Sequence, residues 1–252
     1  MRSAFLRVVL TGALVLSPAL ARGTILLFDQ ARDPGTESTV GPIESGGTLP
    51  ADYGDHVTGA VMAVPGGFFT YGEDGEVFTP DVTLDIFSAA ATAGSAAVNL
   101  WADGYGDLQN VIFADGPGTA GAPMLSVRFT AAPGYVVDLH GFHLAGFGED
   151  YVIAGVSVMA GAATLFSAAN VLVEGDSSGA GHTAFAFDTP LSAQDLLLQV
   201  NVSNLPAGRQ DNIALDSIRF GQTPPAAVPE PAVVLMLLGG LVAIGAARRT
   251  RR

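Results

Sequence analysis

A serine loop, two histidines and several paired carboxylates are the residues whose types and spacing could do chemistry. In Gly175-Asp176-Ser177-Ser178-Gly179 a serine hydroxyl sits in a turn, where it could attack a carbonyl. Such a nucleophile needs a following glycine to shape an oxyanion hole and a base held by a carboxylate. Ser178 stands where that glycine would be, and His182 lies in what reads as the same loop, so the segment reads as a polar turn. His140 and His143 are three apart in a strand-like run, which sends them to opposite faces unless Gly141 introduces a bulge. That spacing suits structural histidines better than chelation. Glu149 beside Asp150, and Asp103 near Asp107, could flank a sugar, because glycoside hydrolysis needs two carboxyls about 5 to 9 Å apart. With 24 acidic residues such pairs arise by chance, and solvated loop acids are the default. No nucleophile-elbow, phosphate-loop, dinucleotide or zinc-protease spacing occurs. An enzyme is not expected.

Asp216 is more informative. In an unbroken last strand it shares a face with Ala214, Ile218 and Phe220, which buries a charge at a cost. A buried charge needs a partner, and Asp29 ends the first strand. The two could hold a structural calcium ion, with backbone carbonyls or water completing the six to eight oxygens calcium takes. The alternatives are a bulge that turns Asp216 outward, or pairing with Arg219 or Arg209. Trp101 and Tyr105, with Tyr53 and Tyr71, fall in or beside Gly-rich loops, where rings could act as glycan platforms. Aromatic rings are equally useful in cores.

The elements that must position these residues are strands. Leu125, Val127 and Phe129 alternate with polar residues, and Val156 with Val158, Phe185 with Phe187, and Leu196, Leu198, Val200 and Val202 repeat the period of two. Runs at 24–28, 82–87, 97–101, 111–113, 136–144 and 213–220 bring the expected count to about ten. No sustained helical stripe interrupts them. With 32 Gly, 15 Pro and 14% charged residues, the expectation is an all-β, antiparallel two-sheet sandwich, jelly-roll-like, over residues 22–221. Residues 32–55 are expected to form a long surface loop. Cysteine is absent, so the body must be held by its core. Lysine is also absent, and six of the 11 arginines lie at the two ends, which leaves five against 24 acidic residues, a net charge of −19 on the exported part. That balance excludes nucleic acid as a partner, since phosphate binding needs basic patches.

Both ends read as address labels. Arg2 and Arg7 precede an apolar run, and Ala19-Leu20-Ala21 follows, the pattern of a signal peptide over residues 1–21 cleaved after Ala21. Residues 222–231 form a Pro-rich linker containing Pro229-Glu230-Pro231. Residues 232–247 are an uncharged apolar segment, which as a helix rises about 24 Å against a hydrocarbon core of roughly 30 Å, short but usable as a transmembrane helix. Residues 248–252 close the chain with Arg248, Arg249, Arg251 and Arg252, which set the orientation with that tail in the cytoplasm. Prolines keep the linker extended and short of backbone donors, so the motif is open to a protease.

A Pro-Glu-Pro motif, a short apolar helix and a terminal arginine cluster together closely resemble the PEP-CTERM sorting signal of exported proteins in Gram-negative, often exopolysaccharide-producing bacteria. The resemblance implies passage through the export machinery and processing near the motif by an exosortase, a membrane-embedded cysteine protease. The stretches at 49–55, 101–108 and 211–220 resemble, with looser motifs, recurrent features of secreted PEP-CTERM sandwich proteins. On this basis the chain is expected to be an inner-membrane-tethered precursor whose mature form lies in the envelope or outside the cell. Its body is expected to be structural or adhesive in an exopolysaccharide or biofilm setting. The alternatives are a carbohydrate-binding jelly-roll module and a polysaccharide-acting enzyme.

Overall fold

The computed structural model describes residues 23–31, 47–64, 67–72, 78–88, 98–113, 123–175, 181–206 and 208–224. The expected signal peptide with Ala19 and Ala21, the Pro229-Glu230-Pro231 motif, the apolar segment 232–247 and the terminal arginines lie outside these residues, as do residues 176–180 of the serine loop. No helix among the described residues is long and apolar enough to cross a membrane.

Thirteen strands occur among the described residues: β1 (Gly23–Ala31), β2 (Val61–Val64), β3 (Gly67–Tyr71), β4 (Val82–Ser88), β5 (Asn99–Trp101), β6 (Val111–Phe113), β7 (Met124–Ala131), β8 (Val136–Gly146), β9 (Tyr151–Ala160), β10 (Ala163–Val173), β11 (Thr183–Ala193), β12 (Asp195–Asn201) and β13 (Ile213–Thr223). A 3-10 turn, Gln210–Asn212, leads into β13. The strands form two antiparallel sheets. One has the order β11-β8-β13-β1-β3-β2, with β6 also pairing β13 and β5 pairing β6; the other has the order β10-β9-β12-β7-β4.

Period-two patterning builds the core as expected. In β12, Leu196, Leu198 and Val200 are fully buried while the residues between them are only partly so. They meet residues of the facing sheet in one apolar cluster, in which the Phe129 ring of β7 lies 5.1 Å from the Phe220 ring of β13. Each such buried side chain contributes about 1.5 to 3 kcal/mol relative to exposure. A polar clasp adds to this where β13 ends: the Asp81 N–H donates to Gln222 Oε1 at 2.8 Å, and Gln222 Nε2 donates to Asp81 Oδ2 at 2.9 Å.

Three strands escape the sequence pattern. β2 and β3 are short, and β10 is built largely of Ala, Ser, Thr and Asn, with most of its side chains exposed. Its backbone nevertheless pairs with β9 from Ala163 to Val173. The expected surface loop at 32–55 is corrected over its described part, 47–55. Leu49 and Tyr53 are buried in the main core, and Thr48 bridges to Asn99. The Tyr53 ring packs 5.1 Å from Phe28, 4.9 Å from Phe69 and 5.2 Å from Tyr71.

Candidate metal centre

The edge of β13 that faces β1 changes neighbours partway along. β1 pairs with β13 from Gly23↔Gly221 to Leu26↔Ile218, and beyond that β6 takes over at Leu215↔Ile112 and Ala214↔Phe113. Asp216 and Ser217 occupy the gap. Three backbone kinks surround it: Phe28 (φ 56°), Asn110 (φ 57°) and Ser217 (φ 51°) all adopt the left-handed conformation. That conformation costs a residue with a Cβ about 1 to 2 kcal/mol, and it is least expected for a bulky side chain such as Phe28.

The kink at Ser217 changes the phase of β13. The main core takes Ile213 and Leu215 before it and Ile218 and Phe220 after it, so the alternation shifts by one residue. Asp216 therefore does not share a face with Ile218 and Phe220, as an unbroken strand would have it. It lies on the side of Ala214, which belongs to a second, smaller apolar cluster with Tyr105, Leu108, Val111 and Ala145. The register with β8 does shift after Asp216, as the bulge alternative had it, but the carboxylate is not turned outward. The segment from β5 through β6 covers that face, and Asp216 is only 5% exposed.

Asp29, Asn110 and Asp216 converge here. Asn110 Nδ2 donates to Asp29 Oδ1, which ties the residue before β6 to the end of β1. Ser217 Oγ donates to Asp216 Oδ2 at 3.3 Å. The second Asp216 oxygen, Oδ1, and Asn110 Oδ1 are both buried without a hydrogen-bond partner. Burial pushes the Asp216 carboxyl up to about 8, against donation from Ser217, and the negative charge of Asp29 raises it further. Asp29 is itself raised by burial, offset in part by the Asn110 amide. Arg209 is engaged with Glu149 at 2.6 Å, and Arg219 is not among the charges acting on Asp216; the expected arginine partners are absent from the cluster.

Only two donors in the cluster are carboxylates, and no group of three or more His, Cys, Asp and Glu side chains converges among the described residues. Softer metals favoured by imidazole or thiolate are thus not matched. An all-oxygen set from carboxylates and an amide suits a hard cation. Asn110 was not legible from spacing. Nothing in the sequence around it indicates that it meets Asp29, which in turn acts on Asp216.

The other sequence candidates have other roles. Tyr105 is 4% exposed, donates its hydroxyl to the Asp211 carbonyl at 2.7 Å and packs edge-on to Phe147, so it offers no ring face to a sugar. Trp101 is half-buried against the second cluster, edge-on to Phe113. Tyr53 and Tyr71 are core residues. Next to Tyr105, Gly106 has φ 59°, and a Cβ there would run into the Gly181 carbonyl, which is why glycine is needed where this loop meets the start of β11. Beside that contact, His182 Nδ1 lies 2.8 Å from Asp107 Oδ1, and the His182 ring stacks on His143 at 4.2 Å. His143 is the β8 partner of Asp216 in register, but Asp216 is not among the charges acting on it. Glu149 and Asp150 are turned to separate partners, Arg209 and the Gly175 N–H.

No protein-family model matches the chain, and no curated protein does. Among solved structures, the chain is similar to "The structure of the family 32 CBM from C. perfringens NanJ in complex with galactose", at 10% identity over 57% of this chain and 94% of that one, with a TM-score of 0.30.

Proposed function

We propose that the chain is an exported cell-envelope protein, sorted through a C-terminal PEP-CTERM signal, whose body is a structural or adhesive jelly-roll module of an exopolysaccharide or biofilm matrix. The strand order supports the jelly-roll form: β1-β13-β8-β11 in one sheet faces β7-β12-β9-β10 in the other, which is the arrangement of two Greek keys folded over each other. The observation that carries the structural reading is the fate of the loop aromatics. Tyr53, Tyr71 and Tyr105 fill cores instead of standing at a binding surface.

The surface supports the same view. A hollow of about 220 Å³ on the five-stranded sheet is lined by Met124 and Val156 with small and amide side chains, among them Ser157, Ser167, Gln199 and Asn201, and has no aromatic ring in its lining. Glycan modules that stack sugars need such rings. The strongly acidic exported part suits a hydrated extracellular setting. β1 runs from Gly23, immediately beyond the expected cleavage point, so the described strands lie within the expected mature chain.

The test is fractionation and intact mass of wild type and Glu230→Ala in an exosortase-bearing host. Sorting by the tail predicts wild-type protein cut near Pro229-Glu230-Pro231 and uncut Glu230→Ala protein in the inner membrane. A plain anchor predicts no difference between the two, because the apolar segment and its arginines are untouched. Full-length wild-type protein retaining Arg252 in the inner membrane would overturn the proposal.

A further inference from the structure

We propose that Asp29, Asn110 and Asp216 are ligands of a single calcium ion that locks the first strand, the β5–β6 segment and the last strand together. The inference goes beyond the sorting and matrix reading and does not depend on it, since the site is built by the sandwich alone.

Two oxygens are left without a partner. Asp216 Oδ1 and Asn110 Oδ1 are buried and accept no hydrogen bond, and leaving a buried acceptor unmet is costly. The unpartnered group on Asp216 belongs to a carboxylate that is about nineteen-twentieths buried. The charges acting on it come from its own neighbourhood and have the wrong sign: the only charged side chain that influences Asp216 is Asp29, another carboxylate. A divalent ion between them neutralises both and replaces an unfavourable meeting of two carboxyl groups with attraction to a shared cation.

The backbone is shaped for the purpose. β1 stops pairing with β13 after Leu26↔Ile218, and the left-handed kinks at Phe28 and Ser217 stand next to Asp29 and Asp216, one on each side of the parting. The third kink is at Asn110 itself. Conformations of this kind persist where something over-determines them, and they gather at ligand sites. Here three, from three different parts of the chain, surround one cluster of oxygens. The donor set selects the ion. Two carboxylates and a side-chain amide are hard ligands, and the remaining positions of a six- to eight-coordinate shell fall to backbone carbonyls and water, which calcium accepts in irregular geometry and magnesium does not.

The experiment uses the full chain, stripped with chelator and then titrated with calcium while the unfolding temperature is followed. A parallel titration with terbium, excited through tyrosine, reports binding directly, because Tyr53 feels the charges of both Asp29 and Asp216 and its hydroxyl accepts the Phe28 N–H at 2.8 Å. The expected result is an unfolding temperature that climbs with the logarithm of calcium concentration, and terbium emission that saturates at one ion per chain and is displaced by calcium. Asp216→Asn keeps the shape of the side chain and removes its charge, and should weaken both responses by at least about tenfold. Should that variant not fold, Asp29→Asn, at a half-buried position, serves the same purpose. No thermal shift at millimolar calcium together with no sensitised emission would overturn the proposal and leave a shared proton as what closes the cluster. Undiminished responses in the folded variant would overturn it as well.

Discussion

Asp29, at the end of the first strand, raises the cost of ionising Asp216 on the last across the gap where β13 parts from β1, and no cationic side chain is among the groups acting on either. That relationship organises the chemistry of the body, and it has a pH signature.

In chelator, the fold should lose stability as pH rises. The Asp216 carboxyl is pushed by burial to about 8 in the folded chain, against an ordinary 3.8. A raised acid stays protonated in the folded state after the unfolded chain has released its proton. Its stabilising effect is complete below the unfolded value and is lost as pH climbs through the folded one, at up to about 1.4 kcal/mol per pH unit. Asp107 does not mask this. Burial alone would raise it, but the hydrogen bond and charge of His182 outweigh that and hold it below its ordinary value, so its contribution changes at more acid pH. His143 works the other way: burial lowers it from its ordinary 6.5, so its contribution to stability rises with pH up to that value. Urea midpoints measured at several pH values from about 6.5 to 8 should therefore fall in chelator, and the fall should shrink in saturating calcium, which binds the ionised form. A chelator profile that rises across this window would contradict the placement of Asp216.

Trp101→Ala should weaken the fold and leave sugar binding unchanged. The ring closes the second apolar cluster over Ala145 and Ala214, so its loss should cost on the order of 2 kcal/mol, less than a fully buried aromatic. Thermal melts in saturating calcium read the stability, and a glycan array reads the other outcome. Array signals present in wild type and abolished in a folded Trp101→Ala protein would restore the carbohydrate-binding alternative.

Tyr105→Phe isolates a single hydrogen bond. The Tyr105 hydroxyl reaches the Asp211 carbonyl at the turn that leads into β13, and its removal should cost about 1 kcal/mol without disturbing the cluster. A matching small drop in the unfolding temperature, with calcium affinity kept, is expected. Loss of calcium binding in this variant would mean that the loop, not the strands, builds the site.

The sequence carried the fold where side chains alternate by bulk, and lost it where they do not. β6 coincides with the expected run at 111–113, and β12 follows its leucine and valine alternation. β10 went unseen because its apolar residues come in adjacent clusters, Leu165-Phe166 and Val171-Leu172-Val173, around a run of small and polar ones, so no period of two shows, and its order comes from backbone pairing with β9. The buried Tyr53 went unseen because its packing depends on β1 and β3 meeting far from it in sequence. For the site, Asp29 and Asp216 could be paired in advance, since first and last strands of a sandwich so often adjoin. The kink at Ser217 could not be foreseen: serine has no special preference for a left-handed backbone, and that one residue decides which face the carboxylate joins. Asn110 is a contribution of tertiary structure alone.

The most direct measurement of the central claim is the metal content of the native protein. The full chain, purified from a calcium-containing medium without chelator and passed through buffer free of metal, should carry one calcium per chain by elemental analysis, and Asp216→Asn prepared alongside should carry none. Wild-type protein that is fully folded and free of calcium after the same treatment, with affinity no better than that of the variant, would contradict the account.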